Sequence, residues 1–340
     1  MSPPILPVEN IETADSKRLS SGPLAVAKFL IKNFSTVRQR ESPNPTIKTS
    51  HIRLITIPAS HYCEKVRFVL DHVEASNVNP WYYTEDAHPP PFHAYETLKA
   101  SGKTASITPM ILLEENGKTI VMHDSTKILQ KFMPQLYPNE IQEEVEQVER
   151  DLGQRLGATL RCFSSYHLLT DPKKYHDALV KIYADPNKVA NIESVVFDKF
   201  LERGLADGMV ENMNITKELS DASEVAVRQV FVEWSQHLEE TGGEYLLDTK
   251  DKSFGFTAAD LTLAALAYPL LHPPELCDWC VSDERLLPAA LTELKKELLP
   301  TKAGQHVLKI YKQHRIPAGD KVVSMKYADR SKSFWASRKK

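Results

Sequence analysis

The sequence predicts an α/β domain followed by an all-α domain. Two observations carry this. β-branched runs near residues 52–57, 109–113 and 118–122, with an aromatic run at 80–84, are interleaved with amphipathic stretches. After Pro134 and Pro138 the apolar residues recur only every three or four positions, the helical period. The length, 340 residues, suits two domains at about 100–200 residues each. Forty-two Lys and Arg against 45 Asp and Glu leave a formal charge of −3, so there is no chain-wide positive field to hold nucleic acid. No run approaches the ~18–20 apolar residues that cross a bilayer. Four cysteines are too few for a disulfide scaffold and suit a reducing compartment.

Each element follows from its residues. Ile52-Arg53-Leu54-Ile55-Thr56-Ile57, closed by Pro58, reads as a buried strand. Tyr62, Val66, Val69, Leu70 and Val73 then form one stripe at helical period, with Ser60 placed to cap it. Residues 80–84 read as a second strand and residues 92–100 as a short helix after Pro89-Pro90-Pro91. Residues 109–113 and 118–122 flank Asn116-Gly117, a pair suited to positive φ, and so form a hairpin. Asp124-Ser125 opens a helix carrying Ile128, Leu129 and Phe132. The order βαβαββα is the thioredoxin arrangement. Beyond it, Ile141, Val145, Val148, Leu152, Leu156 and Leu160 mark one long helix from Asn139 to about Leu168. Further helices are expected over 173–184, 189–205, 222–240, 258–271, 286–298 and 303–314, with a loop over 206–220.

The domain limits are then 51–135 for the thioredoxin-like unit and 139–315 for the helical one. Residues 1–50 form an extension, partly disordered or carrying an amphipathic helix over 23–40. Residues 316–340 form a basic tail expected to be disordered.

Four pieces in this order carry a family resemblance: Ser60-His61-Tyr62-Cys63-Glu64-Lys65-Val66-Arg67, Thr108-Pro109-Met110, Asp124-Ser125 and Phe256-Thr257-Ala258-Ala259-Asp260-Leu261. Over residues 51–315 the chain resembles the cytosolic glutathione transferases. The resemblance implies glutathione as co-substrate without a metal, a hydrophobic electrophile as the second substrate, and a homodimer. It also implies a cytoplasmic location, or an organellar one if residues 1–50 act as a targeting segment.

The chemistry sets what the site must do. A thiol such as that of glutathione, with pKa ~8.5, is mostly protonated at neutral pH, and lowering it by about two units takes ~2.7 kcal/mol of preferential stabilisation of the anion. Ser60 stands where the family places its activating Ser or Cys, backed by the helix dipole and free amides of the first turn. The plain N-cap role fits the same residue. His61, in place of the Pro often found there, joins the glutathione site. Cys63 is the alternative catalytic residue, for a glutathione-dependent reductase or isomerase; with Ser60 standing where a Cys-x-x-Cys would place its first thiol, it has no dithiol partner. Thr108-Pro109 resembles the cis-proline step whose backbone pairs with glutathione like an added strand. Asp124 and Ser125 would hold the γ-glutamyl end. Thr257 and Asp260 form a structural capping box. Cys277 and Cys280 lack a second cysteine pair, so no zinc site is expected there. Arg161, Phe163 and Tyr166 on the long helix are the expected electrophile pocket. The competing reading is a non-catalytic scaffold that works through its extension and tail.

Overall fold

A sheet of β-branched and aromatic strands organises the first half of the chain. The structure, a computed structural model, describes residues 36–39, 50–76, 78–102, 104–115, 118–185, 189, 191–279, 281, 283–316 and 324–327. Strands β1 (Thr36–Gln39), β2 (Ser50–Thr56), β3 (Trp81–Ala87), β4 (Met110–Glu115), β5 (Lys118–His123) and β6 (Ser324–Tyr327) lie in the order β5-β4-β2-β3-β1-β6. β2 and β3 are parallel, and β4 runs antiparallel to both β2 and β5. The parallel pair needs a crossover, which is helix α1 (His61–Ala75). Helices α2 (Phe92–Ala100) and α3 (Ser125–Phe132) complete the expected thioredoxin-like unit. Ile52, Leu54, Val66, Phe68, Val69 and Ile111 are fully buried between sheet and helices.

Three features differ from the sequence reading. β3 runs on through Glu85, Asp86 and Ala87, beyond the expected end at Thr84, because the two carboxylates are neutralised inside the fold. Arg67 Nε donates to Glu85 at 2.8 Å, Thr56 Oγ1 donates to it at 2.7 Å, and Arg53 pairs with Asp86. Residues 36–39, at the end of the expected N-terminal helix, are a strand instead. The β-branched pair Thr36-Val37 suits a strand, and β1 covers the outer edge of β3, which would otherwise present unpaired backbone groups. The rest of that stretch, most of the tail and the Asn116-Gly117 turn lie outside the described residues.

The second unit is helical throughout. α4 (Gln142–Leu152), a π-helical turn (Gly153–Ala158) and α5 (Thr159–Leu169) form one continuous helix. Then follow α6 (His176–Tyr183), α7 (Asn191–Leu201), α8 (Leu205–Asn212), α9 (Lys217–Thr241), α10 (Ala258–Leu271), α11 (Ala289–Leu298) and α12 (Lys302–His314). The expected loop over 206–220 is corrected: α8 and the first turn of α9 occupy most of it. Ala206, Met209, Val210 and Met213 keep helical spacing and pack on the core, although Gly208 and Asn212 have poor intrinsic propensity.

Helix α10 is apolar on all sides and is buried along its length, the pattern of a central helix. It packs against α1 of the first unit and against α4, α11 and α12 of its own. Polar ties join the two units as well. Lys65 Nζ meets Glu149 at 2.9 Å with both side chains buried, and Tyr62 Oη donates to the Gly153 carbonyl at 2.8 Å. Arg315, just past α12, reaches back to Glu64 at 2.9 Å and Asp71 at 2.5 Å. Among the described residues no helix is long and apolar enough to cross a membrane.

Candidate functional site

Strand register alone gathers three of the sequence-derived segments. Ile55 on β2 faces Met110 on β4, and Met110 faces His123 on β5. Pro109, Asp124 and the turn leading from β2 to Ser60 are the next residues outward, so all of them lie at one end of the sheet. The N-termini of α1 and α3 open at the same end.

Ser60 is the N-cap of α1. Its backbone is extended (φ −73°, ψ 118°), and its half-buried Oγ accepts a hydrogen bond from the Cys63 amide at 3.3 Å. That bond uses one lone pair of the oxygen, and the hydroxyl also reaches the Cys63 sulfur, whose anion its hydrogen bond favours. The positive end of the 15-residue α1 lies behind it. The Thr108–Pro109 peptide is cis, as the resemblance implied. Asp124 adopts φ 85°, a region a non-glycine residue enters only when its surroundings enforce it, and its carboxylate caps Thr126 N at 3.0 Å. Ser125, the first residue of α3, is buried.

The neighbours of Ser60 face elsewhere. Cys63 is fully buried, and burial pushes its thiol up. His61 is 6% exposed, and burial, aided by the nearby Arg161 charge, pushes it down to about 3, against a hydrogen bond with the Gly157 backbone. It is therefore neutral at physiological pH, and its Nε2 has no hydrogen-bond partner. His61 and Ala59 line a cavity of about 100 Å³ between the two units, closed on the helical side by Arg161, Ser164, Tyr183 and Tyr268. Of the three residues expected at an electrophile pocket, Arg161 lines this cavity. Phe163 does not: it points into the core and is fully buried, and Tyr166 is not among the lining side chains. The helical phase explains this, since Leu160, Arg161, Ser164, Ser165 and Leu168 share the cavity face and residues 163 and 166 fall off it. His272, pushed down to about 4 chiefly by burial, lines the same space.

Two supporting features escaped the sequence reading. A Cβ at Gly157 would run into Tyr62 Oη, so the glycine lets α1 approach the long helix closely. The second is Glu149, which accepts from Lys65, Tyr137 Oη (2.8 Å), Thr126 Oγ1 (3.2 Å) and Thr262 Oγ1 (3.3 Å), all in the domain interface. Its signal was present: a carboxylate standing between Val145 and Leu152 on the apolar stripe of the long helix. The capping box is present with both halves, Thr257 and Asp260 being buried. The side chains of Cys277 and Cys280 lie outside the described residues.

No family model and no curated protein matches the chain. Among solved structures, a glutathione transferase from Phanerochaete chrysosporium is 15% identical, covering 78% of this chain and 98% of its own, with a TM-score of 0.46. A beta-etherase from Sphingobium is 16% identical (76% and 98% covered, TM-score 0.40). Maleylacetoacetate isomerase from Anaeromyxobacter dehalogenans, with glutathione in its active site, is 13% identical (79% and 100% covered, TM-score 0.34). The chain is similar to glutathione transferase family structures. Their members include isomerase, etherase and transferase proteins, and the likeness extends to the fold.

Proposed function

We propose that the chain is a glutathione transferase that activates the thiol with Ser60. One observation carries the reading: the Ser60 hydroxyl, the cis Thr108–Pro109 step and the N-terminus of α3 meet at one end of the sheet. Each suits one part of the tripeptide. The Thr108 backbone pairs with the cysteinyl backbone as an added strand would. Ser125 and the α3 amides take the γ-glutamyl carboxylate, and Asp124 meets the ammonium. The thiol then falls at Ser60, whose hydroxyl, turned from the Cys63 sulfur, and the α1 amides stabilise the thiolate.

The sulfur lone pair attacks the electrophile, a C–S bond forms, and in a substitution the leaving group departs with its electron pair. Ala59 and His61, which flank Ser60 in the chain, line the cavity between the units; that nearness in sequence supports the cavity as the place of the electrophile, whose gain there would be by proximity. The mostly apolar walls suit a hydrophobic group, with the Arg161 cation at one side. The reading carries a homodimer and a cytoplasmic location with it. Cys63 is the weaker catalytic choice, because a buried thiol raised by desolvation supplies little nucleophile.

Calorimetric titration with glutathione tests the proposal. Saturable binding that weakens at least about tenfold in Ser125→Ala, the cost of ~1.4 kcal/mol or more, is expected for a lost charged hydrogen bond. Absence of binding at millimolar glutathione would contradict it and favour the scaffold reading.

A further inference from the structure

A second polar cluster stands where β3 runs into α2, apart from Ser60. We infer that Asp86, His88 and Glu96 form a site for a divalent transition-metal ion of the zinc type. A ring nitrogen of His88 and a carboxylate oxygen from each of Asp86 and Glu96 all lie within 4.8 Å of one another, and all three residues are buried, at most 1% exposed. Buried acid clusters need a reason to persist, because an uncompensated carboxylate inside a protein is costly. Arg53 supplies part of it, and only for one oxygen of each acid. It pairs with Asp86 Oδ2 and donates to Glu96 Oε2 at 3.0 Å. Asp86 Oδ1 is left buried with no hydrogen-bond partner, and Glu96 Oε1 meets only the half-exposed Lys99 at 3.5 Å.

His88 has the arrangement of a metal-binding imidazole. Its Nδ1 lies 2.9 Å from both oxygens of Glu193, reaching over from α7, and its Nε2 is buried without a partner. A carboxylate that fixes one ring nitrogen while the other is left free is the second-sphere pattern of histidine ligands. Asp86, Glu96 and Glu193 bring three negative charges, which Arg53, the half-exposed Lys99 and a His88 proton held against Glu193 offset before an ion binds; a divalent ion would take the place of that proton. The other group facing the cluster is the half-buried His93 on α2.

One nitrogen and two oxygens suit zinc or a similar first-row ion, with a coordination position left over. Bonds of ~2.0–2.2 Å place tetrahedral ligands ~3.5 Å apart, so the carboxylates need only small rotations to close on the ion. The ion would tie β3 and α2 to α7 through His88 and Glu193, a joint between the two units. This inference is independent of the glutathione reading.

The test uses the full chain, stripped with a chelator, reloaded with zinc and analysed for bound metal. About one equivalent per chain is expected for the unaltered protein and for Cys277→Ser/Cys280→Ser, and less than about a tenth for His88→Gln and Glu96→Gln. Circular dichroism checks that each variant is folded, and Glu96→Gln, which keeps an acceptor for Arg53, decides the matter where His88→Gln does not fold. Cobalt loading adds an independent readout: an oxygen and nitrogen set gives visible d–d bands without a thiolate charge-transfer band. Failure of the unaltered chain to take up zinc, zinc retained in folded Glu96→Gln, or a thiolate band with cobalt would overturn the inference. Glutathione binding, measured on the same samples, fails or persists separately.

Discussion

Asp260→Ala removes one buried carboxylate that holds three parts of the helical unit together. Oδ2 accepts from Thr257 N at 3.0 Å and Thr257 Oγ1 at 2.9 Å, while Oδ1 accepts from Leu246 N at 2.8 Å and pairs with His306 Nε2 at 2.9 Å. Asp260, Thr257 and His306 are at most 5% exposed. Alanine leaves two backbone N–H groups, the Thr257 hydroxyl and an imidazole without this acceptor and with no access to water. At ~1–3 kcal/mol for each stranded group, less what a relaxing structure or an entering water recovers, the expected loss is about 3–5 kcal/mol. In a folded body of this size each kcal/mol lowers the melting temperature by about 2–4 °C, so a fall near 10 °C is expected. Thermal unfolding followed by circular dichroism measures it. Glutathione affinity at a temperature where the variant is folded is expected to be unchanged, since Asp260 lies away from the Ser60 edge. A melting temperature within 1 °C of the unaltered protein, or lost binding at full stability, would refute this reasoning.

Three further outcomes follow from the same interfaces. Lys65→Met strands the Glu149 carboxylate on hydroxyl donors alone and is expected to cost about 3 kcal/mol in denaturant unfolding, with more than half recovered when Glu149→Gln is added; strictly additive losses would contradict the pairing. Gly157→Ala drives a methyl into Tyr62 and is expected to cost about 1–3 kcal/mol by the same assay, while a neutral effect would mean that the two helices part easily. The acid side of the pH dependence comes from His61, His93 and His272, held down to about 3, about 4 and about 4 against an ordinary 6.5. The unfolded chain binds these protons first, so their contribution is full above pH 6.5 and falls as the pH drops towards 4, by at most about 1.4 kcal/mol per unit for each group, while His88, raised to about 9 by Glu193, contributes stability that is lost as the pH rises from 6.5 towards 9. Urea midpoints between pH 7 and 5 check this, and His61→Gln is expected to flatten the slope; a flat profile in the unaltered protein would contradict it.

The sequence made the periodic parts of the fold legible and the charged interior much less so. Helix α10 and the β4–β5 hairpin could be read because their apolar patterns and punctuation agree with their environment. Glu85 and Asp86 broke that agreement. Local polarity marks them as loop residues, and only Arg67 and Arg53, 18 and 33 positions away, make them tolerable in a strand. Helix α8 was hidden for a related reason, its weak local propensity being overridden by packing of Met209 and Val210. At the candidate site, Ser60 and Asp124 were legible as helix caps and Pro109 as a strand boundary because turn and cap chemistry is local. The facing of Phe163 was not, because residues two apart on α5 lie on opposite faces and composition alone does not say which face borders the cavity.

The central claim is that Ser60 turns bound glutathione into a thiolate. The most direct test is an ultraviolet difference titration of the protein with glutathione across pH, made on the unaltered chain and on Ser60→Ala. The account predicts a thiolate band whose midpoint lies about two units below that of free glutathione and returns towards the free value in Ser60→Ala. Saturable binding with an unshifted midpoint, or a shift that persists in Ser60→Ala, would contradict it.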